Sequence, residues 1–524
     1  MILRSHFPAV TIPDVPLHEY VFERAAAWAD LPALIDGPSG RPLTYRALQD
    51  LTRRVAAGLS ARGLRKGDAL CIYSPNLPEY AAVFFGVASL GAINTTANPM
   101  YGAEELARQL KDSGARFVVT VPVLAERALQ AAASTGATVI VFGEAPGCTP
   151  FAEIVASDDA PPNVTIVPGD VIALPYSSGT TGLPKGVMLT HGNLVANLAQ
   201  CDFIDESAPG DHTIGVLPFF HIYGMVVVLC MLLRRGATVV TMPQFDFETY
   251  LRLSAQYRVK AAYLVPPIAL ALAKHPSVDN YDLSALAMIN SGAAPMGPEL
   301  ERACATRLKC FVKQGYGMTE ASPVTHFTPN DPARSRPGSC GLLVPNTECR
   351  VVHLETRADV AAGESGEILI RGPQIMAGYL NRPDATAEAI DADGWLHTGD
   401  VGYADADGFF FIVDRLKEFI KYKGYQVAPA ELEAILLTHP AVADVAVIPA
   451  ADEEAGEIPK AFVVAKRDVG VEELIAFVAA VVAPYKKVRA IEFIEKIPKS
   501  ASGKILRREL IAKERARSAG AAGG

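Results

Sequence analysis

Short runs of β-branched residues alternate with alanine- and leucine-rich stretches through most of this chain. DALCIYSP (68–75) predicts a strand and YAAVFFGVASLGA (80–92) a helix packed on it, and the strand pattern returns in ARFVVTV (115–121), ATVIVFG (137–143) and ATVVTMP (237–243). Such alternation predicts α/β layers with largely parallel sheets. At 524 residues the chain is about three times as long as an ordinary domain, so we expect several such units.

Composition and charge exclude several classes of protein. Half of the residues are hydrophobic and 20% are charged, which excludes global disorder, and the net charge of −9 argues against nucleic-acid binding. The N-terminus lacks the apolar core of a signal peptide. The longest apolar run, 222–233, is too short to span a bilayer, so we expect a buried helix there. Eight cysteines without a C-x-x-C pair indicate neither a zinc site nor a disulfide framework. We expect a soluble, cytoplasmic protein with no nucleic acid or membrane as partner.

The pattern changes after residue 400. The segment 404–424 predicts a hairpin followed by a charged turn, and further helices and strands follow it to about residue 510. This block could form a small α+β domain of its own. We therefore predict an N-terminal domain over 1–413, a hinge at 414–417, a C-terminal domain over 418–510, and a tail over 511–524 whose end is disordered.

The stretch YSSGTTGLPKG (176–186) combines glycines, hydroxyls and one lysine. Glycine lets backbone N–H groups approach an anion, Ser and Thr add short donors, and lysine adds a mobile charge. The stretch therefore predicts a phosphate cradle. Its spacing differs from that of the common P-loop, and Val187 stands where a magnesium-binding hydroxyl would be.

Five further clusters of polar residues and glycine lie far apart along the chain. They are SGAAP (291–295), QGYGMTE (314–320), WLHTGD (395–400), KEFIKYKGYQVAPAE (417–431) and PKSASGKILRREL (498–510). Each alone could be a turn, but five of them together with the cradle indicate a composite site.

With these motifs the sequence resembles the adenylate-forming family, which includes acyl- and aryl-CoA ligases, nonribosomal adenylation domains and beetle luciferases. The resemblance covers nearly the whole chain and is strongest to 4-coumarate/cinnamate:CoA ligases and other aromatic-acid:CoA ligases. LPYSSGTTGLPKGV (174–187) is similar to the first signature box of those ligases. In GEILIRG (366–372), Leu369 occupies the cysteine position of the second box, a mild change because free cysteine packs as a small apolar residue.

The resemblance implies a fold and a reaction. The fold is a large N-terminal domain of layered α/β subdomains with a small β-barrel-like part, followed by a small mobile α+β C-terminal domain. In the reaction, a carboxylate attacks the α-phosphate of ATP to give acyl-AMP and pyrophosphate, and the thiol of CoA then expels AMP. The implied cofactors are ATP, CoA and Mg²⁺, and the implied partner is a small aromatic carboxylate. The sequence leaves the oligomeric state open, with a homodimer as one option.

The resemblance also implies which residues bind the nucleotide. Glu320 would hold Mg²⁺, Thr319 would touch the α-phosphate, and Asp400 would accept hydrogen bonds from the ribose hydroxyls. The full set implied for ATP or AMP is Ser177, Ser178, Gly179, Thr180, Thr181, Lys185, Gly292, Ala293, Ala294, Gln314, Gly315, Tyr316, Gly317, Thr319, Asp400, Arg415, Lys417 and Lys421.

For the acid, the resemblance implies a pocket with His221 as a gate near the carboxylate and Tyr223 as a wall. We expect the glycines of this set to leave a slot for a flat ring. The implied lining is His221, Tyr223, Met225, Asn290, Ser291, Gly292, Gly315, Gly317, Pro323 and Val324.

In the C-terminal block, the resemblance implies that Lys504 reaches the reacting phosphate and carboxylate during adenylation. Lys421, Lys423, Gly424 and Gln426 would face the site only after the small domain rotates, with Lys423, Gly424 and Gln426 contacting CoA. The hinge would be Asp414 and Lys417. The implied catalytic residues are Lys504, His221, Thr319 and Lys421.

Four other functions remain open at this point. The chain could load a carrier protein, activate medium-chain fatty acids, act as a luciferase-like oxygenase, or bind ATP or acyl-AMP without catalysis. A comparison of CoA with a carrier protein as acceptor would identify carrier loading, and pyrophosphate release would exclude a non-catalytic binder. A panel of aromatic and medium-chain fatty acids would identify the acid.

Overall fold

A sheet of eight strands forms the first layer of the fold. The structure is a computed structural model that describes residues 2–177, 184–204, 206–423, 425–452, 454–500 and 503–521, with the backbone alone for 518–521. In spatial order the strands are Gly378–Tyr379, Lys185–Thr190, Val171–Ser177, Ile93–Thr96, Ala69–Tyr73, Ala115–Thr120, Thr138–Val141 and Thr149–Pro150. The first two pairings are antiparallel and the others are parallel, as the sequence pattern predicts.

The second and third sheets continue the α/β architecture. One has the order His212–Gly215, Thr238–Thr241, Pro32–Asp36 and Pro42–Thr44. The other has the order Ala261–Leu264, Met288–Ser291, Phe311–Gly317, Val324–Phe327 and Leu342–Leu343. The first three strands of each are parallel, so the carboxyl ends of Met288–Ser291 and Phe311–Gly317 meet at one edge. That edge carries the SGAAP and QGYGMTE clusters.

Helices cover these sheets. The α-helices of the large domain are Leu17–Phe22, Tyr45–Ala61, Pro78–Ser89, Ala103–Ser113, Ala125–Ala132, Phe151–Ile154, His191–Cys201, Leu232–Arg234, Phe247–Gln256, Pro266–Lys274, Pro298–Leu308 and Pro383–Ala389. Short 3₁₀ turns lie at Ala25–Trp28, Pro122–Leu124, Pro276–Asn280, Thr319–Ala321, Pro332–Arg334 and Pro484–Lys486. Local chemistry sets several helix starts: Thr44 and Thr190 accept hydrogen bonds as N-caps, and proline opens Pro78–Ser89.

The apolar run at 222–233 is a buried helix, so that prediction is confirmed. Tyr223–Met231 is a π-helix that continues into Leu232–Arg234, and Gly224 to Leu233 are all buried. Within the residues that the structure describes, no helix has both the length and the apolar character that crossing a bilayer requires.

An antiparallel sheet of five strands forms the half-barrel of the large domain. Its order is Leu3–Arg4, Glu348–Val352, Gly366–Arg371, Leu396–Ala404 and Phe410–Arg415. The last two strands form a hairpin that begins at residue 396, earlier in the chain than the hairpin predicted over 404–424, and Phe410–Arg415 ends inside the predicted hinge.

The chain then enters a separate small sheet with its own core. Its strands are Tyr425–Val427, Ile420–Tyr422, Gly456–Ala465, Val442–Asp452 and Ala490–Phe493, and its helices are Pro429–Thr438, Val471–Ala479 and Arg507–Ala521. The predicted tail is therefore helical as far as residue 521. Domain boundaries at 413 and 417 stay predictions.

Candidate active site

The carboxylate of Glu320 lies at the junction of three strand ends. Glu320 is in the short turn Thr319–Ala321 that follows Phe311–Gly317. The Ser177 hydroxyl and the Tyr379 hydroxyl both donate to Glu320 Oε1, each over 2.9 Å. Both hydrogen bonds end on the same oxygen, so they fix the orientation of the Glu320 carboxylate beside the predicted cradle.

Lys185 borders the same space from the other strand of the cradle hairpin. Ser177 and Lys185 are cross-strand partners, and Lys185 Nζ lies 4.4 Å from the centroid of the Tyr379 ring. The predicted cradle residues Ser178, Gly179, Thr180 and Thr181 lie outside the described residues. The described border of the cradle is thus a hydroxyl, a lysine and a carboxylate, which suits a phosphate chain with a bound cation.

The donor set beside the cradle fits Mg²⁺. The Ser177 hydroxyl and the Glu320 carboxylate are hard oxygen ligands of the kind that this ion prefers. No group of three or more His, Cys, Asp or Glu side chains suited to a metal occurs among the residues described. A cation here would therefore depend on one carboxylate together with water and phosphate oxygens.

Asp400 forms a second fixed anion, on the half-barrel strand Leu396–Ala404. Its Oδ2 accepts from the Tyr316 hydroxyl over 2.6 Å, and its Oδ1 lies 3.2 Å from Arg415 Nε. Burial raises the pKa of Asp400, while Arg415, Tyr316 and Lys504 act in the opposite direction. Asp400 and Arg415 pair across the strands, so the sheet itself sets this geometry.

Lys504 comes to this site from the small domain. Its turn is closed by hydrogen bonds from Ser500 N to Lys504 O (2.8 Å) and from Lys504 N to Ser500 Oγ (3.1 Å). Burial lowers the pKa of Lys504, helped by Arg415, and the charges of Asp400 and Glu320 oppose that shift. Lys504 therefore lies within electrostatic reach of both fixed anions.

The Lys504 turn packs directly on the large domain. Gly503 has φ +79°, and a Cβ on it would lie 2.9 Å from Cγ2 of Val265. Elsewhere along the same interface, Lys274 Nζ donates to the Leu437 carbonyl over 3.1 Å. Gly503 is thus required twice, by its backbone conformation and by its contact with Val265.

His221 lies close to Lys504 on the other side of the site. Burial lowers the pKa of His221 to about 3, and the Lys504 charge acts in the same direction. Its Nδ1 accepts a hydrogen bond from Tyr223 N over 3.3 Å. His221 is therefore a neutral imidazole at neutral pH and can turn without carrying a charge.

Tyr223 and the SGAAP strand form the wall of the predicted acid pocket. The Tyr223 hydroxyl donates to the Asn290 carbonyl over 3.1 Å. Asn290 and Ser291 are buried, and within the described part of the chain Asn290 Oδ1 and Ser291 Oγ have no hydrogen-bond partner. Buried polar atoms left in this way suit a ligand with hydrogen-bonding groups. Met225 is buried one helical turn from His221.

The three pocket glycines do not leave the slot that we expected. A Cβ on Gly292 would lie 2.9 Å from the Tyr223 ring, one on Gly315 would lie 3.0 Å from the Phe327 ring, and one on Gly317 would lie 2.1 Å from the Pro323 carbonyl oxygen. Protein atoms fill the space that a side chain would take, so these glycines allow close packing. Their roles as lining residues, with Pro323 and Val324, stay predictions.

The side chain of Gln314 is bonded within the large domain, and its predicted nucleotide contact stays a prediction. Its Oε1 accepts from Met296 N (3.1 Å), and its Nε2 donates to the Met296 carbonyl (3.0 Å) and to Glu301 Oε2 (2.8 Å). With its amide group committed to these partners, the Gln314 side chain fixes the segment that follows Ala293 and Ala294. The Tyr316 hydroxyl donates to Asp400, and its predicted contact with the nucleotide stays a prediction.

The described residues predicted to face CoA lie at the surface of the small sheet. Lys421 and Gln426 are exposed cross-strand partners in the small sheet, and exposed Lys423 pairs with Glu454. Lys417 is also exposed, and Gly424 lies outside the described residues. Of the described small-domain residues in the predicted site, Lys504 is the one whose charge acts on Asp400 and His221, and the roles predicted for Lys421, Lys423 and Gln426 stay predictions.

Sequence reasoning missed Tyr379. Its contacts with Glu320 and Lys185 join three segments that are far apart in the chain, and GYL at 378–380 carries no glycine-and-hydroxyl pattern of the kind that identified the cradle. Its position shortly after the end of the second signature box, GEILIRG, was the sequence feature that could have indicated a site residue.

Comparison with known proteins places the chain in a family. The model of the AMP-binding enzyme family matches residues 21–380, and that of the AMP-binding enzyme C-terminal domain matches residues 431–504. The chain belongs to the AMP-binding enzyme family.

Individual relatives are similar over nearly their whole length. A 4-coumarate–CoA ligase of Pinus taeda is 47% identical over 523 residues, which cover 97% of each protein. Among solved structures, an anthranilate CoA ligase in complex with anthranoyl-AMP is 26% identical with a TM-score of 0.89, over 98% of this chain and 99% of that one. A benzoate CoA ligase from Burkholderia xenovorans LB400 is 26% identical with a TM-score of 0.85, over 95% of this chain and 100% of that one.

Proposed function

We propose that this chain is an ATP-dependent aryl-CoA ligase, which joins an aromatic carboxylic acid to CoA through an acyl-AMP intermediate. The observation that carries the proposal is the convergence of Lys504 from the small domain with Asp400 and Glu320 from the large one. An AMP-forming enzyme needs such a movable cation near a nucleotide site. The 4-coumarate–CoA ligase relative and the anthranilate and benzoate CoA ligase neighbours support the choice of an aryl acid and of CoA.

In the first step, a carboxylate oxygen of the acid bonds to the α-phosphorus of ATP as the bond from that phosphorus to the β-bridging oxygen breaks. Pyrophosphate leaves with the electron pair. Lys504 offsets the negative charge that develops between the two reactants, and Asp400 with Arg415 holds the ribose side in place. Because His221 is neutral, it forms no ion pair with the carboxylate of the incoming acid and does not hold that carboxylate away from the phosphate.

Glu320 would hold Mg²⁺ next to Ser177 and Lys185 in this proposal. When bound, the ion neutralises phosphate charge and orients the leaving pyrophosphate. Lys185 adds a second positive charge at the same border, held over the ring of Tyr379.

In the second step, the sulfur of CoA bonds to the acyl carbon, the thiol proton passes to solvent or base, and AMP leaves with the electrons of the acyl–oxygen bond. The small domain rotates about 414–417 so that Lys421, Lys423, Gly424 and Gln426 replace the Lys504 side. Buried Asp414 supports a pivot there, since its Oδ2 accepts from Ala430 N at the start of the first small-domain helix.

We expect a cinnamate-, 4-coumarate- or benzoate-type acid as substrate. The aromatic wall of Tyr223 and the buried polar atoms of Asn290 and Ser291 suit a flat ring that bears a polar substituent. A homodimer and a cytoplasmic location stay predictions.

A substrate panel tests the proposal. Pyrophosphate release and CoA thioester formation are measured with benzoate, cinnamate, 4-coumarate, hexanoate and octanoate, with CoA or a phosphopantetheinylated carrier protein as acceptor. We expect an aromatic acid with CoA to give the highest kcat/KM. A faster reaction with octanoate would contradict the aromatic assignment, and transfer to the carrier protein alone would contradict the CoA ligase assignment.

A further inference from the structure

Tyr379 contacts both charged groups at the border of the cradle. Its hydroxyl donates to Glu320 Oε1 over 2.9 Å, and Lys185 Nζ lies 4.4 Å from its ring centroid. Its side chain is buried, at 9% exposure. The Tyr379 side chain therefore contacts a carboxylate through its hydroxyl and an ammonium group through the face of its ring.

The backbone around Tyr379 is fixed on both sides. Tyr379 pairs with Val187 at the edge of the eight-stranded sheet, and Leu380 N donates to the Gly186 carbonyl over 2.9 Å. Tyr379 N donates to Thr386 Oγ1, also over 2.9 Å. The ring is thus attached to the strand that carries Lys185, while its hydroxyl reaches the turn that carries Glu320.

The two charges do not neutralise each other. Among described residues, no ion pair joins Lys185 to Glu320, although both border the same space and both contact Tyr379. Burial, together with the Glu320 charge, raises the pKa of Tyr379, so its hydroxyl keeps its proton throughout the neutral range. The neutral Tyr379 hydroxyl stabilises the Glu320 carboxylate, and the ring face stabilises the Lys185 ammonium group. Each charge thus has a favourable contact although the two do not form an ion pair.

We propose that Tyr379 is a positioning residue of the nucleotide site. Its hydroxyl orients Glu320 toward the metal, and its ring orients Lys185 toward the phosphates. This inference rests on the proposed function, because it takes Glu320 as the metal-holding carboxylate. The inference assigns a different effect to each part of Tyr379. The hydroxyl governs how ATP binding depends on Mg²⁺, and the ring governs the affinity for ATP without the metal.

The test measures ATP binding by isothermal titration calorimetry, without acid or CoA, across a series of Mg²⁺ concentrations and in EDTA. Tyr379→Phe keeps the ring, and we expect it to raise the Mg²⁺ concentration for half-maximal ATP binding about tenfold while leaving binding in EDTA unchanged. Tyr379→Leu also removes the ring and should weaken binding in EDTA by about threefold. Tyr281→Phe is the matched control, because it removes a Tyr–Glu hydrogen bond (to Glu248) at another place on the chain.

A double-mutant comparison makes the assignment specific. In a Glu320→Gln background, Tyr379→Phe should produce no further change in the dependence on Mg²⁺, because the carboxylate that it orients is already gone. A Tyr379→Phe variant with wild-type dependence on Mg²⁺, or with equal weakening in EDTA and in Mg²⁺, would overturn the positioning role. Failure of the wild-type protein to bind ATP at all would overturn the proposed function together with the inference.

Discussion

Lys504→Ala should separate the two half-reactions. Lys504 provides a positive charge in a partly buried position, next to Asp400 and Glu320 and close to His221. Removing one charge aimed at the developing phosphate charge costs about 3 kcal/mol, or about a hundredfold in rate. We therefore expect acyl-AMP formation to slow by about two orders of magnitude. Because the proposed rotation removes Lys504 from the site before CoA enters, thioester formation from supplied acyl-AMP should change by less than about twofold.

Single-turnover kinetics of each half-reaction provide the measurement, with ATP plus acid in one series and acyl-AMP plus CoA in the other. Lys496→Ala is the control, since Lys496 is an exposed lysine of the same domain and should leave both rates unchanged. Equal losses in both half-reactions for Lys504→Ala would refute the reasoning, because one fixed site would then perform all the chemistry.

Three further perturbations have defined outcomes. Glu320→Gln should slow adenylation about a hundredfold, because the carboxylate bonded to Ser177 at the cradle border loses its charge, and wild-type rates at limiting Mg²⁺ would place the metal elsewhere. Gly424→Leu should block CoA transfer while pyrophosphate release persists, and loss of both would argue against passage of CoA at that position. His326→Leu should flatten the pH dependence of stability. Burial lowers the pKa of His326 from 6.5 to about 3, so wild-type unfolding takes up a proton and the free energy of unfolding falls as pH drops through that window. Chemical denaturation at pH 7 and pH 5 measures this, and parallel curves for the two proteins would contradict it.

The layered fold was readable from the sequence because its strands are buried on both faces. Ala69–Tyr73 is buried at every position, so its apolar run stands out between helical stretches. The strand Phe410–Arg415 lies within the segment predicted as a hairpin, since its apolar run and the turn before it are local, but its partner strand Leu396–Ala404 begins before that segment. Such features depend on neighbours in sequence, which a single chain displays directly.

The roles of individual site residues were harder to predict because they depend on direction in space. Gln314 lies within a motif that points to nucleotide binding, yet its amide is bonded to Met296 and Glu301. The motif does not tell which side of Phe311–Gly317 the residue faces. Similarly, Gly292 could have left a slot or admitted a neighbour, and only the position of the Tyr223 ring decides that it admits a neighbour. Tyr379 was not predicted as a site residue because its contacts are with Glu320 and Lys185, which are distant in the sequence.

The docking of the Lys504 turn has a kinetic consequence. Where it meets the large domain, the small domain contributes a glycine against Val265 and a carbonyl bonded to Lys274, both of which are individually weak contacts. A short covalent tether compensates for weak contacts, since it keeps a binding partner at an effective concentration on the order of millimolar. In the proposed cycle, the tether therefore keeps Lys504 within reach of the site after each rotation of the small domain. An interface strong enough to form without the tether would also dissociate slowly. Dissociation of the small domain would then delay the reaction of acyl-AMP with CoA and limit the rate of every turnover.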